Sequence, residues 1–195
     1  MEYDVNINHQ HEGKGDRLLN WLNSNISLAT LFWLFPITFL LHDFEEIIFV
    51  ESWFKRNYSR VVKMVPNHMK KIFEELSETT SGRFAVPVLL QLVMYIIATY
   101  LAVEHQFYGI FVGFNVLLFL HVFTHVGQWI YFKVYALGAC TALLITFPYS
   151  LYLFYRLMNE QLINALDLFI NIPYGMLTIL IVIIGHKLAP KILHN

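Results

Sequence analysis

The chain has 195 residues, 57% of them hydrophobic and 16% aromatic, and only 14% charged. Soluble domains carry about 25% charged residues, so this composition excludes an ordinary water-soluble globule and points to an all-α membrane protein. A net charge of -1, with no basic stripe interleaved with aromatics, argues against nucleic acid as a partner, and the single cysteine, Cys140, cannot form an internal disulfide.

Residues 1–25 read as a polar N-terminal tail holding Glu2, Asp4, Glu12 and Asp16, without the basic, apolar and small-residue pattern of a removable signal peptide. Residues 26–195 read as the transmembrane domain. A span needs about 20 predominantly apolar residues, and five segments qualify: 28–51, 86–104, 108–131, 136–156 and 168–187. The expected fold is therefore a bundle of about five transmembrane helices. Pro87 favours the start of the second; Pro36, Pro148 and Pro173 fall in or near others, where neighbouring helices can satisfy the freed carbonyls. Pro36 lies six residues before His42 and could bend the first span, opening a cavity beside it. The charged connection 52–85 contains a short amphipathic helix capped by Asn67, with Met69, Ile72, Phe73 and Leu76 on one face. Lys70 and Lys71 suit it to a membrane surface or to cytosolic packing.

Basic residues set the expected orientation. Lys55, Arg56, Arg60, Lys63, Lys70, Lys71, Arg83, Lys133, Lys187 and Lys191 fall on one side of a five-span scheme, and only Lys14, Arg17 and Arg156 on the other. The positive-inside bias then puts the N-terminus outside and the C-terminus in the cytosol.

Inside the first span stands His42-Asp43-Phe44-Glu45-Glu46. One acid at the bilayer centre costs roughly 2.5–3.5 kcal/mol, and three approach ~10 kcal/mol if the terms add. Protonation, a bound metal or a water-filled cavity has to offset that. Residues three and four apart share a helix face, so His42 lies with Glu45 and Glu46, and Asp43 is turned about 100° away. The third span carries His121 and His125 at i, i+4, with Gln128 continuing the stripe. Two imidazoles at that spacing can turn toward one ion. The first and third spans run in the same direction, and His42 and His121 lie at nearly the same depth, so the two sets can meet.

Three imidazoles and two carboxylates suit a divalent metal, zinc favoured and iron possible, with a coordination position left for water. The expected ligands are His42, His121, His125 and one glutamate, written here as Glu46. The other glutamate handles protons, and the spacing does not separate Glu45 from Glu46. Asp43, Asn115 and Gln128 are expected to support them, Asn115 as a group orienting a ligand. A polar clasp between helices accounts for a lone intramembrane histidine; five ionisable groups at one depth call for more. Tyr149, Ser150 and Tyr152 near Pro148 could line a substrate cavity, and His68, His105 and His186 read as loop-bound or terminal.

His42-x-x-Glu45-Glu46 resembles the signature of the HXXEE family of small polytopic membrane proteins. The family pattern also includes a later histidine, matched by His121 or His125, and a Y-x-P-G motif, matched by Tyr135-Ala136-Leu137-Gly138 with leucine in place of proline. The likeness runs from about Leu31 to Tyr152 and implies a helical membrane fold without an agreed activity. A looser likeness to intramembrane CAAX-type proteases, which pair a Glu-Glu helix with histidines on later helices, stops at Val50, where they have arginine.

The function expected from these residues is a membrane-embedded metal-dependent hydrolase of a lipid or lipid-like substrate. A proton- or cation-coupled transporter using the cluster as a relay is the alternative, and a non-catalytic assembly subunit the third reading.

Overall fold

In the computed structural model residues 14–193 are described, and every regular element among them is helical. The expectation of a polar tail falls partly outside these residues. Its last part forms α1, Lys14–Asn25, set at 98° to the helix that follows. Ser27 accepts from the Thr30 amide at 3.1 Å and so starts α2, Leu28–Val61. Pro36 lies buried inside α2 without ending it. Beyond Val50 the helix continues through Glu51, Lys55, Arg56 and Arg60, past the apolar stretch that the sequence marks as the span.

In the charged connection Asn67 does not cap a helix. It opens a single 3-10 turn, Asn67–Met69, which leads into α3, Lys70–Ser77. The apolar face of this stretch is divided. Phe73 stacks on Tyr58 at 5.8 Å and meets Phe54 at 5.5 Å, whereas Met69 and Ile72 are exposed. Thr80 caps α4, Ser81–His105, and Glu51 of α2 accepts from the Ser81 amide at 2.7 Å. A tight turn with Gln106 at φ 54° leads to α5, Tyr108–Phe132.

The expected span 136–156 is broken up. It comprises α6, Ala139–Thr141, a π-helical stretch, Ala142–Thr146, and α7, Phe147–Asn159. The reason lies in where it starts: Gly138, at φ 81°, sits against the side chains of His42, Glu46 and His125, so the chain has already climbed back to their level before α6 begins. After α8, Ala165–Ile170, comes α9, Ile172–Ile192. Among the described residues three helices are long and apolar enough to cross a membrane: 81–105, 108–132 and the joined stretch 165–192. The bent pair α1 and α2 makes a fourth if it is one span. Five full spans are therefore not supported by length and composition.

An aromatic layer fastens α2, α4 and α5 together. Tyr95 of α4 lies 4.6 Å from both Phe35 and Phe39 of α2 and 4.9 Å from Phe114 of α5, ring to ring. Burial of such rings dominates core energetics, and tilted or edge-on contacts add about 0.5–1.5 kcal/mol per pair. Arg156, counted from the sequence among the three basic residues of the outer side, is buried. It donates to Asn23 Oδ1 at 3.3 Å, the Ile26 carbonyl at 3.2 Å and Glu160 at 2.8 Å, which ties α7 to α1. At the opposite end Trp53 donates to the Tyr135 carbonyl at 2.6 Å and Arg60 to the Lys133 carbonyl at 3.0 Å. The loop after α5 is thereby strapped to α2.

Candidate metal centre

The two histidine-bearing helices meet at the depth the residue count predicts. The His42 ring lies 5.6 Å from that of His121 and 4.9 Å from that of His125. The Nε2 atoms of His121 and His125 are 2.9 Å apart, and His125 Nε2 is 3.4 Å from Glu46 Oε1. Within the described residues, His42, Glu46, His121 and His125 bring one donor atom each within 4.8 Å of one another.

Those separations suit an ion. Zn–N bonds of about 2.0–2.1 Å at a tetrahedral angle place donors roughly 3.3 Å apart. The observed 2.9 and 3.4 Å lie on either side of that value. The four residues could hold a metal ion.

Hydrogen-bond counting constrains the tautomer of His42. The Thr141 hydroxyl has one proton and lies 2.6 Å from Glu45 Oε2, to which it donates. It then accepts from His42 Nδ1 at 3.0 Å, so that His42 Nε2 keeps its lone pair. The Thr124 hydroxyl lies 2.7 Å from the His121 carbonyl and 3.1 Å from His121 Nδ1. His42 therefore presents a bare Nε2, the state a ligand needs. His125 Nδ1 is buried without a hydrogen-bond partner.

The structure separates the two glutamates. Glu46 faces the imidazoles. Glu45 is turned toward the loop, where it accepts from the Thr141 amide at 2.9 Å, the Thr141 hydroxyl and the phenol of Tyr135. Partial burial and the bond to Glu45 push the Tyr135 phenol well above its ordinary pKa, so it remains the donor in that pair. Glu45, expected as ligand or proton carrier, hydrogen-bonds Thr141, whose hydroxyl in turn bonds His42.

The expected supporting residues lie elsewhere in part. Asn115 is buried and gives its amide to the Phe111 carbonyl one turn back, at 2.9 Å. Gln128 is exposed. Support for the imidazoles comes from Thr124 and Thr141, neither of which was singled out from the sequence. The i, i+3 spacing of His121 and Thr124 carried a usable signal. Thr141 is 99 positions from His42 and carried none. Thr141→Val, which keeps the shape and removes the hydroxyl, is expected to weaken metal affinity by about 10–100-fold. Competition with a chromogenic chelator measures that loss.

The cluster opens on a cavity of about 480 Å³ between α2, α4, α5 and α9. Asp43, Glu46 and His121 stand on its wall, which Gln91, Tyr95 and Thr178 also line. Phe39, Val88, Leu118 and Val182 contribute to its mainly apolar remainder. His186 is not terminal in character, because it too lines this cavity, from α9. Tyr149, Ser150 and Tyr152 do not line it. Tyr149 donates to the Leu31 carbonyl at 3.2 Å, Tyr152 donates to Asn23 at 3.1 Å, and Ser150 is buried.

Apolar helices of spanning length and a His/Glu cluster shared by α2 and α5 are consistent with a membrane protein that has a possible metal site. The chain belongs to the HXXEE family, described as "Protein of unknown function with HXXEE motif", whose model matches residues 33–153, more than half of the length. No curated protein and no solved structure matches the chain significantly.

Proposed function

We propose that the protein is a membrane-embedded, zinc-dependent hydrolase of a lipid or lipid-like substrate. The observation that carries this reading is the convergence of three imidazoles and Glu46 on the wall of a mainly apolar cavity. His42, His121 and His125 would hold the ion, with Glu46 within ligand reach. Bound zinc supplies Lewis acidity and a water of pKa about 7. Iron accepts the same donors and is the second choice.

Each side chain then has a role. Thr141 keeps His42 in the Nε2-bare tautomer, Thr124 lies beside His121 Nδ1, and Glu45 with Tyr135 anchors Thr141. Glu46 is the proton carrier, because its carboxylate faces both the imidazoles and the cavity while that of Glu45 is occupied. A mainly apolar cavity also favours a lipid over a hydrated ion, which weighs against the relay or transporter reading. The basic bias of the α2–α4 connection supports the orientation with the N-terminus outside and the C-terminus cytosolic, the broken 139–159 segment serving as the fifth pass.

The test is release of fatty acid from ester and amide lipids by purified protein in mild detergent, read by mass spectrometry. Activity is expected to vanish with a chelator and return with zinc. Glu46→Gln is expected to keep most of the metal and lose about 10²–10⁴ in rate, the usual weight of a general acid–base group. Product formation indifferent to both chelator and Glu46→Gln would overturn the reading.

A further inference from the structure

Ser27, extended at φ -66° and ψ 154°, breaks the chain between α1 and α2, and the two axes meet at 98°. Because α2 carries the apolar run that the sequence marks as the first span, a helix perpendicular to it runs along the membrane plane, at the level of Leu28.

The residues of α1 are divided to match that placement. At about 100° per residue, Leu18, Leu19, Trp21 and Leu22 fall within one arc of about 160°, with Asp16, Asn20 and Ser24 on the opposite side. Leu18 and Trp21 are each 59% exposed, Leu19 and Leu22 are half-buried, and the three polar residues are exposed. A flank between the two arcs is held by the bundle. Asn23 Oδ1 accepts from Tyr152 at 3.1 Å and from Arg156 at 3.3 Å, and Arg156 also donates to the Ile26 carbonyl at 3.2 Å. These bonds fix the roll of α1, so Leu18 and Trp21 are presented outward by a buried clamp rather than by a loose segment. Two large apolar side chains held in the open call for an apolar partner. An indole favours the headgroup level of a bilayer, and an apolar arc backed by a polar one is the division of a helix lying in the interface.

We infer that α1 is an interfacial anchor. Its Leu18–Trp21 face is seated at the boundary between headgroups and acyl chains, in the phospholipid leaflet at the N-terminal end of α2, and its Asp16–Asn20–Ser24 side stays in water. The sequence reading placed this stretch in a polar tail outside the bilayer; its apolar half is instead a lipid-binding surface. The inference needs neither the metal nor the reaction proposed above.

The test is spin labelling of the full-length protein in phosphatidylcholine vesicles. A Cys140→Ser background removes the one native cysteine, which gives the fold only its backbone amide. Labels are placed singly at Leu18→Cys, Asn20→Cys, Trp21→Cys and Ser24→Cys, and depth is read from collisions with oxygen and with a water-soluble nickel complex. Positions 18 and 21 are expected about 5–10 Å inside the headgroup boundary, and positions 20 and 24 in water. Leu180→Cys, on the exposed face of α9, shows that the chain has inserted, with an expected depth of about 15 Å, half the hydrocarbon core. Four aqueous readings in α1 beside a deep one at position 180 would refute the anchor. A steady increase in depth from 18 to 24 would make α1 the upper part of the span, and labels at 18 and 21 shielded from both colliders would mean a protein partner; each of these outcomes also overturns the inference.

Discussion

Replacing His125 with alanine is expected to yield a chain that inserts and folds but no longer retains a stoichiometric metal. His125 is the hub of the cluster: its Nε2 lies 2.9 Å from that of His121 and 3.4 Å from Glu46 Oε1, and its ring lies 4.9 Å from that of His42. Apparent binding free energies for structural zinc sites are about 10–16 kcal/mol, so one of three imidazole ligands carries at least about 3 kcal/mol. That corresponds to more than about a hundredfold in affinity. Elemental analysis of the purified protein, with His105→Ala as control, checks this; His105 closes α4 and meets Tyr100 edge-on, and it is not a member of the cluster. Equal metal content in the two variants would leave the imidazoles as a hydrogen-bonded clasp between helices.

Gly138→Ala is expected to damage the same site from the opposite side, by adding one methyl group. The backbone at Gly138 has φ 81°, a left-handed conformation that costs a residue with a Cβ about 1–2 kcal/mol. The added carbon would also stand 2.6 Å from Glu46 Oε1 and 2.9 Å from Cε1 of both His42 and His125. Neither imidazole can retreat cheaply, because both are buried and His42 is tied to Thr141. The expected outcome is loss of metal together with a lower unfolding temperature. Gly127→Ala is the matched control. Gly127 lies in α5 with nothing within 4 Å of a built Cβ, and alanine there is favoured by up to about 1 kcal/mol. A Gly138→Ala protein that binds metal and melts like Gly127→Ala would show that the loop does not wall the cluster.

The contrast between these glycines also marks how far the sequence could be read. Tyr135-Ala136-Leu137-Gly138 stood out as a motif, but its purpose is visible only in space. Gly138 leaves room for two imidazoles and a carboxylate, and Tyr135 holds Glu45. Glu45 and Glu46 were equivalent by spacing, because both lie one turn from His42 and a helical period alone does not tell which of two adjacent residues faces a third helix. Packing against α5 and the 133–141 segment settles it, sending Glu46 to the histidines and Glu45 to Thr141.

The amino-acid sequence determined by itself the helical membrane class, the pairing of the His42 block with His121 and His125, and their common depth. Each of these follows from a local quantity: apolar run length, the 3.6-residue period and the 1.5 Å rise. Tertiary structure alone decided the break in the expected 136–156 span, the buried anchoring of Arg156, the hydroxyls that orient the imidazoles, and the chamber beneath α9. These depend on contacts between residues far apart in the chain, such as His42 with Thr141 or Pro87 with Gly185, and no local period encodes such contacts.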